Sequence, residues 1–112
     1  MSVSLLINQH NNTDETRIVP IATESIFSEF WRPAASQLNL QFVPLFQSGL
    51  PINKEDLFII IEELRKLKLY FIEQKRAKPE SNIFEYIIGR VDTLIGELQR
   101  VANQSSAEVY IG

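Results

Sequence analysis

From Asn53 to Ala102 the chain reads as helix with one hard interruption, Pro79. No other feature limits the fold as much, because two long helices joined by a short break can only lie antiparallel and must share one core. Asn53 is placed to cap the first helix, and Glu55 and Asp56 follow in its opening turn, where the helix dipole favours acids. That helix is predicted to run to about Arg76. Asn82 begins the second, with Glu85 three residues on in capping-box position, and it is predicted to reach about Ala102.

At about 100° per residue the second helix sorts into two faces. Ile83, Phe84, Ile87, Ile88, Val91, Leu94, Ile95, Leu98 and Val101 fall together, and Glu85, Asp92, Thr93, Gln99 and Arg100 fall opposite. Gly89 and Gly96 lie one above the other on the polar side, although each costs about 1 kcal/mol relative to alanine in a helix interior. Such glycines are tolerated on an exposed face, pack an internal neighbour or are approached by a partner. The first helix is apolar around more of its circumference. Leu57, Ile60, Ile61, Leu64, Leu67, Phe71 and Ile72 make a core face, Phe58 and Leu69 fall just outside it, and Ile59 and Tyr70 lie on the far side. A helix of this kind is central in its fold or carries an interface, self-association included. Lys68 projects near the middle of the core face and is expected to snorkel at an edge of the sheet.

The flanks of this helical pair read as strand. Val3, Leu5 and Ile7 alternate with Ser4, Leu6 and Asn8; Arg17 to Ile21 suggests a second strand, and Pro20 confines it to an edge. The polar run from His10 to Glu15 joins the two as a long hairpin loop. Thr23 is a candidate N-cap for a helix carrying Ile26, Phe27, Phe30 and Trp31, which Pro33 should end or kink near Arg32, with a second short turn to Leu38. Leu40 to Phe46 looks extended and Gln47 to Pro51 looks like loop. After Asn103–Ser106, Ala107 to Gly112 alternates once more. The fold class expected is therefore α+β in a single domain of residues 1–112: a small, mostly antiparallel sheet of three to four strands, with a long α-hairpin and one shorter N-terminal helix packed on one face. The two terminal strands should pair near the middle of the sheet, since a chain end that is strand is normally tied into it.

Composition removes several function classes. The 112 residues contain no cysteine, which excludes disulfides, thiolate metal sites and a cysteine nucleophile, and is in keeping with the cytoplasm. The N-terminus lacks the basic segment and cleavage site of a signal peptide, and no apolar run approaches a bilayer span. His10 is the single histidine, near Asp14 and Glu15, with no Gly-x-Ser-x-Gly elbow to serve and no recognised metal-ligand spacing, so it is expected to have no catalytic or metal role. Neither a phosphate-binding Gly-x-x-x-x-Gly-Lys nor a Gly-x-Gly-x-x-Gly occurs, and no cofactor is expected. Glu62 and Glu63 are adjacent and so point in diverging directions, while Glu85 and Asp92 share the polar side of the last helix with Gly89. The net charge of −3 is unevenly spread: residues 65–78 are net +5, from six bases against Glu73, between a preceding stretch of −5 and a following one of −3. This basic segment, with Tyr70 and Phe71 beside it, is the one argument for nucleic-acid binding. A sequence pI of about 5.1 argues against it.

The layout resembles the small immunity proteins that bacteria make against toxins. The likeness rests on the opening strand Ser2–Asn8, the Phe30-Trp31 pair, Glu63-Leu64-x-x-Leu67 in an amphipathic helix, and the closing Val109-Tyr110-Ile111-Gly112. It implies a non-enzymatic inhibitor that covers a toxin's active site, with no residue roles to transfer. The expected function is thus a non-catalytic protein-interaction domain, with a small enzyme or ligand-binding domain as the alternative and a nucleic-acid module behind both. The partner-facing residues expected are Glu85, Gly89, Asp92, Gly96 and Arg100, with Ile59 and Tyr70, and the 54–76 helix is the candidate surface for a homodimer.

Overall fold

A computed structural model describes residues 2–9, 16–103 and 107–112. The His10 and 10–15 loop expectations, and the Gln104–Ser106 end of the last helix, lie outside these residues. The elements in chain order are β1 (Ser2–Gln9), β2 (Thr16–Thr23), α1 (Glu24–Ile26), a π turn (Phe27–Trp31), α2 (Arg32–Gln37), a 3₁₀ helix (Val43–Ser48), β3 (Leu50–Ile52), α3 (Lys54–Ala77), α4 (Ile83–Ala102) and β4 (Ala107–Ile111). The four strands form one antiparallel sheet in the order β2-β1-β4-β3. The two terminal strands are its centre, as the sequence suggests, and Ser4 and Gly112 exchange both backbone hydrogen bonds at 3.0 and 3.2 Å.

Alternation decides which sheet face is covered. Val3, Leu5, Ile7, Val19, Ile21, Val109 and Ile111 are buried beneath the helices, and Ser4, Leu6, Ile18, Pro20 and Tyr110 point to the other side. The helix layer has α3 in its middle. On one flank Lys68 pairs with Asp92 of α4 at 2.7 Å; on the other, Tyr70 reaches Gln37 of α2 and Glu63 reaches the 41–43 backbone. Being flanked on both sides and floored by the sheet explains why α3 is apolar around so much of its circumference. Lys68 therefore snorkels along the α3–α4 seam and not at a sheet edge.

The helix after Thr23 is interrupted next to Pro33, as expected, but by a π turn: Arg32 donates to Phe27, one residue further back than in an α-helix, and the expected second short turn is α2, which runs to Gln37. Pro33, which has no N–H to donate, is the second residue of α2 and follows directly on the π turn. The Thr23 cap itself forms, its hydroxyl accepting from the Ile26 N–H at 3.2 Å. Two local expectations are corrected. The segment 43–48 is a 3₁₀ helix and not extended, with Pro44 in its first turn. The extended piece comes later, at Leu50–Ile52, overlapping the end of the expected loop, where it completes the ladder along β4. Finally, neither Asn53 nor Asn82 makes a side-chain cap, and the helices begin on backbone bonds, Asp56 N–H to Asn53 and Tyr86 N–H to Asn82.

Candidate binding surfaces

Among the described residues the most committed acid is Glu63, only 7% exposed. Its carboxylate accepts the Gln41 N–H at 3.1 Å, the Phe42 N–H at 3.0 and 3.2 Å, and the Val43 N–H at 3.1 Å. These are the orphan donors at the start of the 3₁₀ helix, so Glu63 acts as a long-range N-cap and fastens the 38–48 connection to α3. Its neighbour Glu62 points outward to Arg65 at 2.6 Å, as the diverging directions required. The sequence signal for the Glu63 role was an acid inside a run of core positions, Leu57 to Leu67.

The residues expected to face a partner do not form one cluster. Glu85, Gly89, Asp92 and Gly96 line the outer side of α4, and a methyl group added to either glycine meets nothing within 4 Å. Internal packing is therefore not what selects these glycines. Arg100 turns away from that strip, pairing at 3.0 Å with Glu97, which also binds Arg17 of β2 at 2.7 Å and so ties α4 to the sheet. Ile59 is exposed, but Tyr70 is half-buried, edge-on to Phe71 and hydrogen-bonded to Gln37. Tyr70 and Lys68 project about 160° apart around α3 at 100° per residue, so Tyr70 faces α2 while the α4 strip lies beyond the opposite flank. The basic segment is likewise partly spoken for: Arg65 pairs with Glu62, Arg76 with Glu73 and Lys68 with Asp92.

The helix-free face of the sheet carries a surface that sequence reasoning missed. The register places Leu6 between Ile18 and Tyr110, and Tyr110 next to Pro51, so one apolar row crosses all four strands. Ile18 is 63% exposed and Tyr110 41%. Beside the row runs a groove of about 670 Å³ whose walls include Asn8, Thr16, Lys54 and Glu108. Tyr110 is held by two glycines: a side chain at Gly49 would strike its hydroxyl, and one at Gly112 would lie 2.7 Å from its ring. Gly49 also has φ of 97°, which disfavours any other residue. Both edge strands carry a proline, Pro20 in β2 and Pro51 in β3, which removes donors from the rims and blunts strand addition. What this face offers is therefore its flat side, not its edges. The signal in the sequence was faint: Leu6, Ile18 and Tyr110 each occupy the off-beat position of an otherwise alternating strand.

Among the described residues no group of three or more His, Asp or Glu side chains is placed to hold a metal ion, and no helix is long and apolar enough to cross a membrane. No family model matches the sequence, no curated protein matches it, and no solved structure matches its fold.

Proposed function

We propose that this domain is a non-catalytic binding module that engages another protein through the helix-free face of its sheet, in the bacterial cytoplasm, and that its concrete form is an immunity-type inhibitor covering a toxin. The observation that carries the reading is the apolar row Ile18–Leu6–Tyr110–Pro51, laid open across a four-stranded sheet whose edge strands each carry a proline. A flat sheet needs no reorganisation to bind, and a tyrosine braced by Gly49 and Gly112 loses little side-chain entropy on contact. Exposed apolar area gathered in one place, with polar groups at its margin, is characteristic of protein-binding sites. The inhibitor form rests on the resemblance to immunity proteins, and the cytoplasm on the cysteine-free sequence.

The test is affinity capture from native lysate with the wild-type protein and with an Ile18→Lys/Tyr110→Lys variant, followed by identification and by growth rescue when the captured protein is co-expressed. The expected result is a stoichiometric partner retained by the wild type and lost by the variant, with toxicity of that partner relieved only by the wild type. Capture of the same partner by both proteins, or of none by either, overturns the reading.

A further inference from the structure

We propose that the outer face of the α3–α4 hairpin binds a second copy of this chain, forming a two-fold dimer in which α3 of each protomer lies along α4 of the other. This surface is on the opposite side of the molecule from the open sheet face, and the proposal stands independently of the partner assigned there.

Three observations carry it. The first is what α3 leaves in solvent. Phe58 is 73% exposed and Leu69 64%, eleven residues and about three turns apart on one line of the helix, with half-buried Ile72 beside the line. The core, α4 and α2 occupy the other sides of α3, so no element of the described fold covers this line. The second is self-complementarity. The Lys68–Asp92 ion pair and the Phe71–Phe84 ring contact fix the antiparallel register of the hairpin and place Leu69 level with Gly89. A two-fold axis running along the hairpin keeps each residue at its own level, and so sets Leu69 of one protomer over Gly89 of the other, where a side chain has open space. The ridge and the recess it fits are thus on the same molecule, which an isologous interface requires.

The third is charge. In that register Arg65 of one protomer, paired with Glu62 in its own helix, stands over Asp92 of the other, while Arg76 lies within a turn of Glu85 and its intrahelical partner Glu73 is level with it. The complementarity is in net charge: residues 65–78, on α3 and its C-cap and net +5, face the strip of α4 that carries Glu85 and Asp92 twice, related by symmetry. Size is adequate as well. Two helices side by side, about 30 Å long and each ~10 Å wide, present roughly 600 Å² in projection and more in accessible area, close to the ~800 Å² per partner of a standard interface.

Sedimentation equilibrium of the full chain, wild type and variants, tests the proposal. The expected result is a monomer–dimer equilibrium in the micromolar range for the wild type, weakened at least about tenfold by Leu69→Lys. Ile18→Lys on the sheet face should dimerise like the wild type. Reversing one charge on the basic side, Arg65→Glu, should also weaken association. All of these positions are exposed, and circular dichroism confirms that each variant is folded. A wild type that stays monomeric at about 0.5 mM, far above that range, overturns the proposal. So does a dimer unaffected by Leu69→Lys, or one abolished instead by Ile18→Lys.

Discussion

Single residues set how firmly the two layers are joined, and Glu63 is the clearest case. Replacing it with alanine leaves the amides of Gln41, Phe42 and Val43 without their acceptor in a part-buried loop. Unfolding free energy should fall by about 3 kcal/mol, a loss typical of stranding buried donors, measured by urea denaturation at neutral pH. An unchanged midpoint would show that the 38–48 connection is held by its apolar contacts alone. The glycines make a paired prediction. Gly49→Ala should destabilise by about 1–3 kcal/mol, because the backbone is at positive φ and the Tyr110 hydroxyl lies against it. The double change Gly89→Ala/Gly96→Ala should raise the stability of the monomer by up to about 2 kcal/mol, since nothing lies near either site and helix propensity is all that changes. A thermal scan of dilute protein, where dimerisation does not contribute, separates the two signs.

At the scale of elements, the parts that were legible in the sequence are those whose periodicity runs long. α3 and α4 show their core faces over many turns, and β1 and β4 alternate apart from Leu6 and Tyr110, so their place in the chain follows from pattern. Short elements were not legible, because tertiary contacts decide them. Residues 40–52 hold two prolines and a glycine whose meaning depends on a carboxylate some twenty residues away and on the open edge of β4. The same limit explains the candidate sites. Outward glycines on α4 were visible by helical arithmetic, but the row Ile18–Leu6–Tyr110–Pro51 exists only once four separate segments are brought into register. β4 tests this view. It lies between β1 and β3 and buries Val109 and Ile111, so deleting residues 107–112 removes two core side chains, worth about 3–6 kcal/mol, and separates β3 from the sheet. That approaches the whole stability of a small domain. The truncated chain should lack a cooperative thermal transition, and a transition at the wild-type temperature would contradict the assigned topology.

The molecule as a whole has two dissimilar open sides. The sheet side is flat, mostly uncharged along its central row and closed at the rims; the hairpin side is ridged and charged. The partner proposed for the first side and the second copy proposed for the second can be tested separately, since a substitution on one side should leave the other function intact. Hydroxyl-radical footprinting of the protein with its captured partner examines the central claim most directly. The account predicts that labelling of Ile18, Leu6 and Tyr110 falls sharply on binding, while Tyr86, exposed on α4 with Arg90 over its ring, is labelled as before. Protection of Tyr86 or Leu69 on binding, with Ile18 and Tyr110 labelled as in the free protein, would contradict it.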